Sequence, residues 1–553
     1  MKILILGGYG TFGGRLAHLL ANDERLTLVI AGRSKQKADA FCRQLPAGAQ
    51  RIPLVFDRNG DVEAQVRDIR PNLVVDASGP FQAYGKNPYQ VITACIANGV
   101  DYMDLADGSE FVKGVSQFDQ QAKFQNIFVL SGVSSFPVLT AAVVRRLSKG
   151  LAKIHTIKGG IAPSPFAGVG LNVIRAITIY AGKHLSLIRN GKPSYGHALT
   201  ETMRYTIAPP GYLPLKNTLF SLVDVPDLRV LPDLWTDLNT IWMGAGPVPE
   251  ILHRMLIGLS WLVRIRLLPS LLPFASLFYF VINVLRWGEH RGGMFVVVNG
   301  IDNDGKEIER SWHLLAEGND GPFIPSMAVE ALVKRSLSGK RPATGSRPAT
   351  GDLELEDYEN IFKNRTIYTG QWNENQHQSS LYQRLLGDAW DSLPLPLIKM
   401  HKCKKAEGIA DVKIGKSLLA RLIATIFGFP KAGQNVPVQV LFQSQEGGEV
   451  WKRTFNGNSF SSFQSEGHGL SERLLTERFG MFNFDFALVV KPEKMSLIIR
   501  RWKAFGIPMP LMLAPSMTIY ESVADGRFFF HVEVSHLIIG LIARYQGWLI
   551  PIE

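Results

Sequence analysis

Met1-Lys2-Ile3-Leu4-Ile5-Leu6-Gly7-Gly8-Tyr9-Gly10-Thr11-Phe12-Gly13 runs from a short apolar strand straight into glycines at positions 7, 10 and 13. After it, Leu16, Leu19 and Leu20 recur at helical spacing and predict a helix over 12–22. Strand, glycine turn and helix in that order make a dinucleotide-binding loop. The first glycine permits the tight turn, the second lets the backbone approach a pyrophosphate, and the third allows close helix–strand packing. The phosphates then meet the positive end of a helix dipole. Gly7, Tyr9, Gly10, Thr11, Phe12 and Gly13 are therefore candidate cofactor contacts.

Working outward, apolar runs of strand length at 26–31, 52–56, 73–77, 100–104 and 127–130 alternate with helical stretches. That pattern predicts a Rossmann-type doubly wound parallel sheet over 1–140. A helix over 88–98 carries Pro88 in its first turn and is stopped by Gly99. The second strand ends in Ala31-Gly32-Arg33-Ser34-Lys35, where a chain preferring the non-phosphorylated dinucleotide usually places an acidic residue. A guanidinium and a hydroxyl suit a 2′-phosphate, so Arg33, Ser34 and Lys37, with Lys35 as a further source of charge, point to NADP(H). Ser34 also stands where it can cap the next helix. Asp57, after the third strand, joins the candidate set. The fourth strand leads into Asp76-Ala77-Ser78-Gly79-Pro80-Phe81-Gln82-Ala83-Tyr84-Gly85. Ligands sit beyond the carboxyl ends of strands near the switch point, which adds Ala77, Ser78 and Gly79.

The stretches 7–13, 31–34 and 79–85, with Ala-Cys-Ile-Ala-Asn-Gly-Val-Asp-Tyr-Met-Asp-Leu at 94–105 and Gly-Val-Ser-Ser-Phe-Pro at 132–137, resemble the saccharopine dehydrogenase-like oxidoreductases. The resemblance covers about 1–140 well and 290–350 more loosely, through Trp312-His-Leu-Leu-Ala-Glu-Gly-Asn-Asp-Gly-Pro. It implies nicotinamide-dependent hydride transfer, in some members on amino-acid adducts and in others on lipids as enoyl reductases. Family members often carry Gly-Glu after the Asp-Leu pair, whereas this chain reads Ala106-Asp107-Gly108. Substrate preference therefore does not carry over.

Residues 141–337 are expected to form an α+β substrate or oligomerisation domain. Strand-like runs at 154–158 and 294–300, an Asn303-Asp304-Gly305 turn and a helix over 327–337 packing back on the first domain suggest a mixed or antiparallel sheet. Within it, 251–287 is the most apolar region. Its charge-free core of 267–285 approaches the length of a span, but Pro269 and Pro273 leave 274–285 as uninterrupted helix, about 18 Å against roughly 30 Å of hydrocarbon. Arg254, Arg264, Arg266, Arg286 and Arg291 flank it, as suits an element lying on anionic headgroups. A buried core or dimer helix and a true span are the alternatives. Residues 338–380 read as a linker, with Arg-Pro-Ala-Thr-Gly at 341–345 and 347–351 and a polar tail.

From 381 to 553 the pattern changes to short strands at 438–443, 450–455, 474–479, 485–490, 496–502, 517–522 and 527–534, with an Asp525-Gly526 turn and one helix over 416–427. This separate β-rich domain resembles bacterial domains of unknown function that follow saccharopine dehydrogenase-like domains. A curved sheet with one helix suits either an apolar ligand cavity or an interaction or dimerisation surface.

Composition sets the frame. At 553 residues the chain is too long for one core; 46% hydrophobic and 20% charged residues describe a folded globular protein. Three cysteines (Cys42, Cys95, Cys403) build neither a disulfide framework nor a four-cysteine zinc site, which fits a reducing cytoplasm, peripheral at the inner membrane face if 251–287 meets lipid. The apolar start is too short for a signal-peptide core. A net charge of +12 favours anionic partners such as nucleotide phosphates or a membrane surface; nucleic acid has no motif here. No metal site is expected, since His531 and His536 fall on opposite faces of a strand. Cys95 reads as core. The cluster Lys399, Lys402, Lys404 and Lys405 around His401 reads as a solvated basic face that could meet headgroups.

Hydride transfer to a C=C, C=O or C=N bond needs a proton donor. Tyr84, in the fourth-strand loop, and Asp104, ending the fifth strand, are the candidates. The sequence thus points to an NADP-dependent oxidoreductase acting on an apolar or lipid-like substrate. A non-catalytic NADP(H)-binding scaffold or sensor at a membrane and a soluble amino-acid-adduct reductase are the alternatives. A homodimer remains open.

Overall fold

The computed structural model describes residues 1–373, 379–426 and 428–552, so the centre of the expected polar tail at 374–378 and the end of the helix expected over 416–427 lie outside the described residues. The chain divides into two compact units, Met1–Tyr205 with Thr218–Tyr368, and Thr206–Asn217 with Thr369–Glu553.

The first unit opens with the expected parallel sheet. Its strands are β1 (Lys2–Leu6), β2 (Thr27–Gly32), β3 (Gln50–Val55), β4 (Leu73–Asp76), β5 (Asp101–Asp104) and β6 (Phe128–Ser131). Across the sheet the order is β6-β5-β4-β1-β2-β3, and β1 pairs in parallel with both β2 and β4. The chain reverses its direction of winding between β1 and β4, which places a switch-point crevice there. Ile3, Leu4 and Ile5 are fully buried because helices cover both faces, and that is why these strands read as continuous apolar runs. β3 contains Pro53, tolerated because this strand is the sheet edge. Helix α1 (Thr11–Leu20) follows the glycine turn and α2 (Lys35–Gln44) follows β2. Helix Gln90–Ala97 ends as expected, with Gly99 at φ +63°.

One expectation fails here. The stretch 338–380 is no plain linker: Gly345–Pro348 adds a seventh parallel strand beside β6, and helix Leu355–Phe362 follows. The arginines of the tandem Arg-Pro-Ala-Thr-Gly segment anchor it. Arg341 Nε donates to Asp101 Oδ2 at 3.0 Å and Arg347 Nη2 to Asp352 Oδ1 at 2.5 Å. Proline, glycine and threonine look like a loop in isolation; backbone pairing with β6 turns them into sheet.

A second, mixed sheet completes the unit. Leu151–Ala162 pairs antiparallel with Arg291–Asp302 and parallel with Thr240–Ala245, and Arg291–Asp302 turns through 303–306 into Glu307–Glu317. Asp302 Oδ1 accepts from the Asp304 and Lys306 N–H groups and so closes that turn. Helix Ile324–Leu337 packs on α1, where Ser326 Oγ donates to Phe12 O at 3.2 Å. The apolar region folds as two helices, an amphipathic one over Glu250–Arg264 and one without charged residues over Ala275–Val284, split at 265–274. No helix among the described residues is long and apolar enough to cross a membrane. Nor is the second helix core: Leu277, Phe280 and Val284 are exposed.

The second unit is a closed, ten-stranded antiparallel β-barrel. Its order is Phe482–Lys491, Leu475–Phe479, Asn458–Glu466, Gly448–Phe455, Gly433–Gln445, Lys405–Ile414, Gly540–Ile552, Arg527–His536, Ser516–Ala524 and Lys494–Ala504. Pairing of Phe482↔Ala504 through Lys491↔Lys494 closes it, which leaves no long edge exposed. Turns at Asn456-Gly457 and Asp525-Gly526 take positive φ at both central residues, the hairpin geometry that matches strand twist. His401 sits inside this barrel domain, not on a basic surface. Its ring is buried, stacks on Tyr382 at 3.8 Å, and its Nε2 lies 2.6 Å from Glu521 Oε2. His531 pairs with Gln546 at 3.0 Å, whereas His536 faces the interior.

Candidate functional site

The phosphate end of the site is a backbone cradle. Gly7 has φ +70°, and a Cβ there would stand 2.9 Å from Ala77 O; one on Gly13 would stand 2.3 Å from Gly7 O. Turn and helix are thus packed too tightly for any side chain. Gly10 N donates to Gly7 O at 2.8 Å, and Gly10 caps α1 without a side-chain hydrogen bond. The first-turn N–H groups of α1 are therefore left for an anion. Thr11 Oγ1 lies against Gly170, and the Phe12 ring carries the Arg15 guanidinium at 5.7 Å.

At the adenosine end Tyr9 closes over the terminus of β2. Its hydroxyl accepts from Ser34 N at 2.9 Å, and its ring fills the space beside Gly32. Ser34 caps α2, its Oγ accepting from Lys37 N at 3.3 Å. Lys35 is occupied: its Nζ reaches Pro53 O at 2.6 Å and Asp39 at 3.2 Å. Arg33 and Lys37 are exposed, and among the described residues neither side chain has a hydrogen bond or ion pair. Two cations held ready beside a capping hydroxyl fit a 2′-phosphate. Asp57 shapes the neighbouring turn, its Oδ1 accepting from Asn59 N at 3.0 Å.

At the other end, β4 delivers Ala77, Ser78 and Gly79. Ala77 N donates to Leu6 O at 3.0 Å, and Asn172 Nδ2 of helix Leu171–Tyr180 donates to Gly79 O at 2.9 Å. Tyr84 folds back onto the strand end, with its hydroxyl 2.9 Å from Ser78 Oγ and 3.3 Å from each oxygen of buried Asp76. The Arg58 guanidinium stacks 3.1 Å from the centre of its ring. Burial and then the Asp76 charge push the Tyr84 phenol well above its ordinary range. Asp104 is sealed: Gly132 N at 2.7 Å, Ala106 N at 3.0 Å and Ser131 Oγ at 3.0 Å all donate to its Oδ1. Burial raises its carboxyl to about 7. The Cys95 thiol is buried and likewise pushed up.

Residues 3–130 match the model of the saccharopine dehydrogenase NADP binding domain. The N-terminal domain is of this NADP-binding oxidoreductase type. Residues 393–549 match a domain of unknown function, DUF4166. No curated protein matches the chain in sequence. Among solved structures, the chain is similar to saccharopine dehydrogenase (L-Glu forming) from Saccharomyces cerevisiae, 13% identical over 67% of this chain and 99% of that one, with a TM-score of 0.47. A Thermotoga maritima probable dehydrogenase is 11% identical over 65% and 92% of the two chains, TM-score 0.32. A Synechocystis biliverdin reductase bound to biliverdin and NADP+ is 13% identical over 64% and 94%, TM-score 0.27.

Three residues around the NADP-binding domain's nicotinamide side escape sequence reasoning. Asp76, at the end of β4, and Arg58, in the turn after β3, bracket Tyr84. Asp107 is the third. Its side chain is exposed, and Gln82 of the 79–85 loop donates to its Oδ1 at 3.1 Å. Desolvation, opposed by Gln82 and assisted by nearby Asp224, raises its carboxyl to about 6. Its departure from the family's Gly-Glu was the available signal. Arg33→Asp is expected to weaken NADPH binding by about ten- to a hundredfold while leaving NADH binding within a few-fold, as one to two charge-assisted phosphate bonds are lost. Titration of both cofactors by fluorescence checks this; equal loss for both would assign Arg33 no part in choosing the phosphate.

Proposed function

We propose that the chain reduces or oxidises an apolar, lipid-like substrate with NADP(H) at a membrane surface. The observation that carries this reading is the exposed apolar surface of helices Glu250–Arg264 and Ala275–Val284, which the unit containing the cofactor cradle presents to solvent. Ile251, Met255, Phe280 and Trp287 are among its exposed side chains, and Arg254, Arg264, Arg266 and Arg286 border them. Such a surface suits lipid headgroups and acyl chains better than water.

When bound, NADPH supplies the hydride. The backbone cradle at 7–13 would hold the pyrophosphate, Arg33 and Lys37 would pair with the 2′-phosphate, and Ser78 and Gly79 would border the ring. Asp107 gives the proton, since its exposed carboxyl is tied by Gln82 to the 79–85 loop that borders the cofactor. Tyr84 holds the 77–85 loop in shape through Asp76, and Asp104 fastens the β5 and β6 ends from within.

The test follows NADPH consumption by the whole chain given either a lipid extract on anionic vesicles or an aqueous metabolite extract. Consumption is expected with the lipid extract, to fall by about 10²-fold or more in Asp107→Asn, and to drop in Leu277→Asp/Phe280→Asp together with flotation on the vesicles. Consumption with the aqueous extract alone would make the protein an amino-acid-adduct reductase. Binding of NADPH with no consumption in either would make it a sensor.

A further inference from the structure

The barrel of the second unit encloses a cavity of about 330 Å³ that the hydride reaction does not use. Ten strands make a barrel wider than side chains alone fill, and the volume falls within the roughly 300–1,000 Å³ of ligand sites. Its wall is aromatic and aliphatic: Phe455, Phe484, Phe486, Leu497, Ile519 and Phe528 point inward. One polar group of residues breaks it. Buried Glu477 Oε1 accepts from Ser462 Oγ at 2.6 Å, Gln464 Nε2 at 3.0 Å and Arg453 Nη2 at 3.2 Å. Tyr382 OH donates to Gln464 Oε1 at 3.1 Å, and Glu521 is paired to His401. Arg453 is already bonded to Glu477 and His401 to Glu521, so a carboxylate or ammonium entering here would lose its water and find these groups already engaged with each other. A hydroxyl or carbonyl meets hydrogen-bonding groups at no such cost.

The two ends of the barrel differ. Tyr382 and Met400, on helices Leu381–Leu386 and Leu395–Met400, plug the end near Gln464. The opposite end is marked by the Ser516↔Ser535 and Phe482↔Ala504 pairs and by Ser417 Oγ donating to Ile539 O at 3.2 Å. There the cavity is bordered by Ile423, Leu513, Pro515, His536 and Ile539. Around that mouth stand Met512, Leu537 and Ile538, exposed by 82%, 96% and 87%, with Leu418, Leu419 and Phe505 also exposed. The rim stretches 415–425, 428–433, 456–458, 480–482, 505–515 and 536–541 contain Lys416, Arg421 and Lys431 and no acidic residue. An apolar rim with only positive charge matches an anionic bilayer.

We propose that this barrel binds one uncharged long-chain lipid, a fatty alcohol, ester or similar molecule, and takes it from a membrane through this rim. The proposal stands whether or not the hydride substrate is a lipid. The whole chain is titrated with diphenylhexatriene, an uncharged rod that fluoresces only in apolar surroundings, and the probe is competed with hexadecanol or hexadecanoate. Saturable binding near one probe per chain is expected, with hexadecanol displacing it at concentrations at least tenfold below hexadecanoate. Val440→Trp/Leu497→Trp, which fills the cavity, is expected to abolish binding. Leu537→Asp/Ile538→Asp alters only exposed side chains; it should keep binding from solution yet slow probe uptake from phosphatidylglycerol vesicles at least tenfold. No saturable binding, or a filled variant that folds and binds as before, overturns the site. Should that variant not fold, the competition decides: equal displacement by acid and alcohol, or none, overturns the ligand class. Unchanged uptake from vesicles in the rim variant overturns the portal.

Discussion

Gly13→Ala is expected to abolish NADPH binding, with the dissociation constant rising at least a hundredfold. The new Cβ would stand 2.3 Å from Gly7 O and 3.0 Å from Gly8 Cα, and both obstacles are backbone. No rotamer relieves such a contact. Either α1 moves away from the turn or the turn opens, and each displaces the first-turn N–H groups from the pyrophosphate. Gly10→Ala separates the two roles of the glycines, because a Cβ there stands 3.0 Å from Gly7 O at φ −81° and leaves the turn and α1 in place, so its loss of binding, smaller than that of Gly13→Ala, reports only on the approach of the pyrophosphate. Isothermal titration of both variants with NADPH checks the ranking, and thermal unfolding separates a lost site from a lost fold. Binding by Gly13→Ala within threefold of the unaltered chain would contradict the cradle.

The second large effect is on stability. Burial is the leading cause that lifts the Asp104 carboxyl from 3.8 to about 7, opposed by the Gly132, Ala106 and Ser131 donors. All three donors converge on Oδ1, while Oδ2 has no partner among the described residues and is the oxygen a proton would occupy. The folded state thus holds a proton that the unfolded chain has released. Stability from this group is full below about pH 4 and falls as pH rises through about 7, a loss of up to about 4 kcal/mol from a three-unit shift. Asp107, raised to about 6, titrates in the same direction. Asp104→Asn keeps the Oδ1 acceptor and removes the ionisation. Its first-unit melting transition is expected to match the unaltered chain at about pH 4 and to exceed it by several degrees at about pH 8. Calorimetry at the two pH values decides; a variant destabilised equally at both would mean that a buried carboxylate, not a carboxylic acid, holds the β5 and β6 ends.

The nucleotide end of the site was legible because every part of it is local. A strand, a turn and a helix over 2–20 carry the glycine cradle, and Arg33 and Lys37, four residues apart, set the charge at the next strand end. The proton-handling end was not. Tyr84 and Asp104 are conspicuous in sequence, yet Tyr84 is covered by Arg58 from the turn after β3, a contact between segments distant in the chain, and Asp104 is withdrawn from solvent by the end of β6. Asp107 differs from Asp104 by three positions and by its access to water, a property no spacing encodes.

In the second unit the turn signals and seven strands stood out, but Lys405–Ile414, Asn458–Glu466 and Gly540–Ile552 did not. Asn458–Glu466 shows why. Its inward positions include Ser462 and Gln464, polar residues buried around Glu477, so the expected apolar alternation is inverted where the interior needs hydrogen bonds. Sequence alone determined the parallel nucleotide-binding sheet, its cofactor and the β-rich character of the second half, since short-range periodicity and turn chemistry suffice for those. Tertiary structure decided that Gly345–Pro348 is sheet, that the β-rich half closes into a hollow barrel, and which carboxylates see water. Those outcomes depend on pairing between strands far apart in the chain and on what that pairing excludes from solvent.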